Sequence, residues 1–286
     1  MIYSKDGSTI WSAYDKNGQE IAAAYNANGS MVFANALKVM TYNVGGWYIG
    51  SGRNVPAADK SKFYALQTGM IEANDPDVLV IQEYLAQFSD DGTSALTMLQ
   101  GLYPYVHTKT SGTYFGRAIC SKYPITDYTE RTYTQESSRY YDSCTITVNG
   151  TEITFVDTHL GLTQENRTAE ITELISYLST LTRFVACGDY NTTINEYDLT
   201  TSSEAYIENV KPFIDAGFHT ANYGVSGFLM THINPSTEIE YYIDNEYTSS
   251  NIEVLEAYVD DTKLDELPVT QIDHMPLIAL LQIGDS

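Results

Sequence analysis

Several apolar runs of this chain end in amide, carboxylate or imidazole side chains. Val39-Met40-Thr41-Tyr42 closes on Asn43, and Val78-Leu79-Val80-Ile81-Gln82 closes on Glu83. A third run ends in Asp157-Thr158-His159, a fourth leads from Phe184 to Gly188 into Asp189-Tyr190-Asn191, and Asp273-His274 precedes the last apolar segment. Carboxylates and amides suit a hard, oxygen-loving ion such as Mg²⁺. Histidines beside them suit proton transfer or charge stabilisation. Singly, each has an ordinary explanation, such as a solvated strand end or an Asx turn. The informative feature is the repetition, because strand ends are rigid and several can converge on one pocket.

The elements that must position these groups follow from the pattern. Strands are expected over residues 39–44, 78–83, 117–121, 143–148, 152–158, 183–188, 239–249 and 277–283. Helices are expected over 58–73, ended by Asn74-Asp75-Pro76, over 93–102, and over 165–181. The last would turn Ile171, Leu174, Ile175 and Leu178 inward and Arg167 and Glu170 outward. Strands and helices alternate, but some strand neighbours join by short turns such as Asn149-Gly150. That favours mixed sheets covered by helices, an α/β (α+β) fold, over a purely parallel sheet.

Residues 1–36 differ. Tyr-x-x-[Asp/Asn]-Gly recurs every 11 residues at Tyr3, Tyr14 and Tyr25. Asp-Gly and Asn-Gly are strong hairpin signals, so this segment reads as a β-repeat appendage that buries little surface alone. It packs on the main domain, or serves attachment to a protein partner or self-association. The 286 residues fit two domains at roughly 150 residues each, or one large one. No linker follows Lys38, so 38–286 reads as a single catalytic domain.

Fifteen Lys+Arg against 37 Asp+Glu give a net charge of −22. This speaks against a nucleic-acid binder with a broad basic surface, but not against an enzyme that engages phosphate through metal ions. Cys120, Cys144 and Cys187 each sit in an apolar run and read as buried free thiols. No apolar run reaches the roughly 18 residues of a membrane span. The first residues hold no signal-peptide core, and the compartment stays open, with a lean to an extracellular or particle-attached protein.

As an ordered series, Thr41-Tyr42-Asn43, Val80-Ile81-Gln82-Glu83, Ile119-Cys120-Ser121-Lys122-Tyr123-Pro124-Ile125, Thr158-His159-Leu160, Gly188-Asp189-Tyr190-Asn191, Ile243-Asp244 and Asp273-His274-Met275-Pro276-Leu277 resemble the endonuclease/exonuclease/phosphatase superfamily, the fold of deoxyribonuclease I. The resemblance spans about residues 38–283. It implies a four-layer sandwich of two mixed β-sheets flanked by helices, with the site at one edge. It also implies roles. Glu83 would be the principal Mg²⁺ ligand, with Mn²⁺ or Ca²⁺ as alternative ions, Asn43 a metal or phosphate ligand, and Asp273 an added charge for a metal. His274 would act on the scissile phosphate, oriented by Asp244. Asp189 would position or deprotonate the attacking water, and Asn191 and His159 would hold phosphate oxygens. The sequence departs from the family pattern at Asp157, where Asn is common and a structural role is expected. It departs also at Arg117, read as facing substrate or forming a surface salt bridge, and at Tyr242, where Arg often stands.

The expected activity is divalent-metal-dependent phosphodiester hydrolysis, first on nucleic acid as a deoxyribonuclease-like nuclease. The alternatives are a phosphatase or a sphingomyelinase-like phospholipid hydrolase, and a non-catalytic scaffold. Gly46-Trp47-Tyr48-Ile49-Gly50 is a candidate for lipid insertion or for a pocket wall. Arg53, Lys60, Lys62, Arg117, Lys122, Arg131 and Arg139 form a sparse basic set for gripping a backbone, and the 24 tyrosines offer stacking platforms. His107 reads as a strand-edge residue, His219 as a turn residue, and His232 as part of a loop bordering the site.

Overall fold

The computed structural model describes residues 13–14, 20–21, 23–25, 31–34, 36–48, 60–85, 94–109, 116–135, 139–191, 202–203, 206–222, 228–234, 236–267 and 273–284. Before the sandwich, β1 (Ala13–Tyr14) pairs with β2 (Glu20–Ile21), and β3 (Ala23–Tyr25) pairs with β4 (Met31–Ala34), both antiparallel. The other residues before Ala36, and with them the role expected of the repeats, lie outside the described residues.

Two six-stranded sheets follow the same plan. The first runs β17 (Ile252–Val259), β18 (Leu277–Ile283), β5 (Leu37–Asn43), β6 (Val78–Tyr84), β8 (Gly116–Ser121) and β7 (Tyr105–Lys109). The second runs β13 (His219–Thr220), β16 (Asp244–Thr248), β12 (Phe184–Asp189), β11 (Thr151–His159), β10 (Tyr140–Val148) and β9 (Ile125–Thr132). Each holds one parallel pair, β5–β6 and β11–β12, flanked by antiparallel neighbours. A parallel pair needs a crossover, and helices α1 (Lys60–Asn74) and α3 (Gln164–Leu178) supply the two. The carboxyl ends of both pairs carry Asn43 and Glu83 on one side and His159 and Asp189 on the other.

Three apolar layers hold this together. Val39, Val80, Ile119, Cys144, Phe155, Val185 and Cys187 pack between the sheets. Met70, Ile71 and Leu99, the last from α2 (Ala95–Leu102), cover the first sheet. Ile171, Leu174, Leu178 and Phe213, the last from α4 (Lys211–Asp215), cover the second. Burying each such side chain is worth roughly 1.5–3 kcal/mol. The architecture is therefore the expected four-layer sandwich. All three cysteines are free and buried. No helix among the described residues is long and apolar enough to cross a membrane.

Local signals explain most boundaries. Helix α1 stops where Asp75 takes a left-handed φ of 45° before Pro76. Thr163 caps α3 by accepting from the Asn166 amide at 3.3 Å. Three expectations need correction. Residues 239–249 are not one strand: β15 (Glu240–Tyr241) pairs with β14 (His232–Ile233), and β16 then joins the second sheet. Arg167 and Glu170 do not face outward but are buried under the loop after β11, where Gly161 and Leu162 expose backbone groups to bond. Arg117 is not on the surface. It is 4% exposed, donates to the Asp157 and Tyr140 carbonyls, and lies 3.8 Å from the Asp157 carboxylate.

Candidate active site

Asn43 ends β5, and the chain then turns through Gly45, Gly46 and Trp47 with φ of 56°, 62° and 53°. Two glycines make that left-handed run accessible to the backbone, while Trp47 is locked by burial and an indole bond to the Leu85 carbonyl at 2.9 Å. Buried in this way, Trp47 is not available for lipid insertion. The turn points the Asn43 side chain across the sandwich. Its Oδ1 accepts from the Gly45 amide at 2.9 Å, and its Nδ2 faces Asp189 Oδ2 at 3.0 Å and Glu83 Oε1 at 3.4 Å.

Glu83 sits on a bulge. The β6–β8 register shifts between Ile81 and Tyr84, and Glu83 takes a φ of 53°. Bulges re-aim side chains beside active sites. Here Gln82 turns inward to donate to Asp157 Oδ1 at 2.8 Å, while Glu83 stays half-buried at the edge. Asp157 is fully buried beneath the site.

Asp189, at the end of β12, is the hub. Its Oδ2 lies 3.5 Å from both His159 Nε2 and His274 Nε2. Its Oδ1 accepts from the Asn191 amide at 2.9 Å. Asn191 has a φ of 48° and turns its own side-chain amide to the Leu160 carbonyl at 2.8 Å. Burial pushes the Asp189 carboxyl up to about 6, Asp244 adds to the rise, and His274 opposes it. Burial also holds the His159 imidazole well below its usual range, with Arg139 and Arg117 adding to the effect.

His274 Nδ1 lies 2.8 Å from Asp244 Oδ2, a carboxylate–imidazole pair that fixes tautomer and ring orientation. Asp244 is held in turn, since its backbone amide and that of Ile243 both donate to Thr231 Oγ1 at 3.0 and 3.2 Å. The His274 carbonyl accepts from the buried Lys263 ammonium at 2.9 Å, on α5 (Thr262–Glu266). That ammonium lies 4.8 Å from the Tyr42 ring centroid and 5.3 Å from that of Phe63. Asp273 Oδ1 meets His232 Nε2 at 2.7 Å, and the His232 and His274 rings are 4.6 Å apart.

The structure thus brings Asn43, Glu83, His159, Asp189, Asn191, Asp244 and His274 into one connected cluster, with Asp273 beside it through His232. His232 borders the site, His107 lies on an edge strand, and His219 bonds the Ile252 carbonyl. Sequence reasoning missed Lys263 and Thr231. Nothing in Thr262-Lys263-Leu264-Asp265-Glu266 distinguishes that lysine from a surface charge.

The donor set suits a divalent cation. Glu83 and Asp189 approach one amide from two sheets, and burial leaves the Asp189 charge in want of a compensating ion. Hard dications favour such oxygen-rich edges.

Residues 23–249 match the Endonuclease/Exonuclease/phosphatase family. An endonuclease/exonuclease/phosphatase family protein from Leptotrichia buccalis C-1013-b is 18% identical, with 87% of this chain and 100% of that one covered and a TM-score of 0.62. The endonuclease/exonuclease/phosphatase from Beutenbergia cavernae DSM 12333 is 16% identical, covering 87% and 72%, with a TM-score of 0.62. The human Nocturnin catalytic domain, solved with a bound sulfate anion, is 17% identical, covering 86% and 94%, also at 0.62. At these identities the structural likeness shows the shared fold. No curated protein matches the sequence.

Proposed function

The chain belongs to the endonuclease/exonuclease/phosphatase family, and from that premise we propose that it is a divalent-metal-dependent phosphodiester hydrolase, first of all a deoxyribonuclease-like nuclease. The observation that carries this reading is the convergence on Asp189 of Asn43 from one sheet and two imidazoles, His159 and His274. Glu83, beside Asn43, is the residue that would hold Mg²⁺, which would supply Lewis-acid stabilisation of charge on phosphoryl oxygens.

The chain's own groups do the rest. Asp189 takes the proton of the attacking water, a task its raised pKa suits. Asn191 holds that carboxylate through its backbone amide. His274, kept in one tautomer by Asp244, turns Nε2 to the phosphate, where it stabilises developing charge or moves a proton. His159 and Asn43 face the non-bridging oxygens, where preorganised donors are worth most. The sulfate bound by the human Nocturnin domain is a tetrahedral oxyanion of the same shape as a phosphate.

A second reading, hydrolysis of a small phosphoester or a phospholipid headgroup, has its own support. Lys62, Lys109, Lys122 and Lys211 are engaged with acidic neighbours, Arg131 stacks on Tyr177, and Arg117 and Arg167 are buried. Little of the described basic charge is thereby left to grip a long backbone.

The test is digestion of plasmid DNA, RNA, sphingomyelin and bis-p-nitrophenyl phosphate with Mg²⁺ and with chelator. Chelator-sensitive nucleic-acid cleavage is expected, lost by about two orders of magnitude or more in His274→Ala at unchanged melting temperature. Strong lipid or small-ester hydrolysis without nucleic-acid cleavage sinks the nuclease reading in favour of the second. An unchanged rate in His274→Ala removes its assigned role.

A further inference from the structure

We propose that Gln82 is the positioning residue for Glu83, and that the buried pair Asp157 and Arg117 holds Gln82 in that role. Gln82 and Glu83 are adjacent on β6, inside the bulge where the register with β8 shifts between Ile81 and Tyr84. Glu83 takes a φ of 53° there. A non-glycine residue keeps such a left-handed conformation only where its surroundings enforce it. Gln82 is tied from three directions. Its Nε2 donates to Asp157 Oδ1 at 2.8 Å, its Oε1 accepts from Thr41 Oγ1 at 3.3 Å, and its backbone carbonyl accepts from the Val44 amide at 3.1 Å. These partners lie on β11 of the second sheet, on β5 of the first, and in the turn that follows Asn43. One buried side chain thus fixes the start of the bulge that aims Glu83, and its carbonyl holds the turn beside Asn43.

The anchor is itself anchored. Thr41, Gln82 and Asp157 are fully buried. In such a place a hydrogen bond is costly to leave unmade, so a satisfied network specifies one arrangement. Arg117 reaches over from β8, donates to the Asp157 and Tyr140 carbonyls, and lies over the Tyr140 ring at 4.3 Å. Burial pushes the Asp157 carboxyl up to about 8, and the Arg117 guanidinium opposes the rise. The bond from Gln82 needs only an acceptor at Oδ1, and it stands whether or not the carboxyl holds a proton. Arg117 and Asp157 are also two of the positions at which the sequence departs from the family pattern, and they meet across the two sheets.

Removing an outer partner that orients a metal ligand typically costs about 10–100-fold in metal affinity. Freed from Asp157 and Thr41, Gln82 lets the bulge relax and Glu83 drift from Asn43. The inference rests on the assignment of a metal ion to Glu83 in the hydrolase reading above, and ion binding is therefore measured apart from turnover.

The test is equilibrium titration of the chelator-stripped full chain with Mn²⁺, read by electron paramagnetic resonance of the free ion. The tightest-bound equivalent is expected to be lost in Glu83→Gln, which identifies it with this site. Gln82→Met keeps the length of the side chain without its amide, and should weaken that equivalent about tenfold or more while retaining native circular dichroism. Asp157→Ala should do the same. Asp157→Asn keeps an oxygen for Gln82 and should stay within about threefold of the parent chain. A tightest equivalent unmoved by Glu83→Gln, or unchanged affinity in folded Gln82→Met, overturns the proposal. A lower melting temperature with unaltered affinity does so too, because it leaves Gln82 a structural role only. Should Gln82→Met fail to fold, the contrast between Asp157→Ala and Asp157→Asn decides, and equal affinities overturn the proposal. Gln82-dependent Mn²⁺ binding with no hydrolysis of any substrate leaves the positioning role standing and sinks the hydrolase reading. Metal-dependent hydrolysis with Mn²⁺ affinity unaltered in Gln82→Met does the reverse.

Discussion

The buried ammonium of Lys263 lies 2.9 Å from the backbone carbonyl oxygen of His274. A fully buried lysine is rare unless paired, and this one holds the main chain of the residue assigned to the phosphate. Lys263→Met keeps much of the apolar stem between Tyr42 and Phe63 and removes the donor. Leaving that carbonyl without the bond costs about 1–3 kcal/mol. The imidazole loses an anchor, and small misplacements cost up to about a hundredfold in rate. Turnover of bis-p-nitrophenyl phosphate is expected to fall about tenfold or more, with a lower melting temperature. Unaltered turnover removes Lys263 from positioning.

Asp189 makes stability depend on pH with a definite sign. Its folded carboxyl is raised to about 6 by burial, from the ordinary 3.8. The folded chain therefore keeps a proton that the unfolded chain has released. Its contribution is most favourable below about pH 4 and is lost as pH rises through about 6. Metal-free Asp189→Asn carries no such charge. Its stability relative to the parent chain should grow between pH 4 and 7, by an amount of the order of 2–3 kcal/mol. Denaturant melts at three pH values measure this, and a pH-independent difference contradicts it. The same variant loses activity if Asp189 accepts the water's proton.

Gly188 on β12 lies opposite Thr158 on β11. A Cβ there would meet the Thr158 carbonyl oxygen at 2.1 Å, backbone that cannot step aside. Gly188→Ala should cost about 3 kcal/mol or more and displace the adjoining Asp189. Soluble yield and melting temperature report the first effect. A stable, fully active variant would show that the two strands can part.

Glu170 is the fourth test. Its Oε2 accepts from the Gly161 amide at 2.7 Å, and Arg167 donates to the Leu162 carbonyl at 2.7 Å, clamping the loop that follows His159. Glu170→Ala leaves a buried amide without its acceptor and should cost about 1–3 kcal/mol. Thermal melts check this, and an unchanged midpoint places the clamp elsewhere.

These residues also mark where sequence reading works and where it stops. Asn43, Glu83, His159 and Asp189 were legible because each interrupts an apolar run at a strand end, which needs only local pattern. Asn149 and Gly150 were legible as a turn because both hold positive φ, 50° and 86°. Arg167 and Glu170 misled because charge usually marks a solvated helix face, and only the folded loop reveals the backbone groups they serve. The β6 bulge that aims Glu83, the Lys263 bond and the His232–Asp273 pair depend on contacts between separate segments. No spacing within one segment encodes them. The single strand expected over 239–249 failed for the same reason, since its first part pairs with His232–Ile233 instead.

The two sheets meet through a layer of side chains that includes Val80, Cys144, Phe155 and Cys187, and Asn43 reaches Asp189 across the end of that layer. The gap between the facing groups is thus gauged by filler volume, as the jaws of a caliper are set by what lies between them. A single methylene added at Cys144 or Val80 would have to be accommodated by shifts of the side chains or strands that border it. Interior bulk in this fold therefore bears on the spacing between facing polar groups as well as on cohesion.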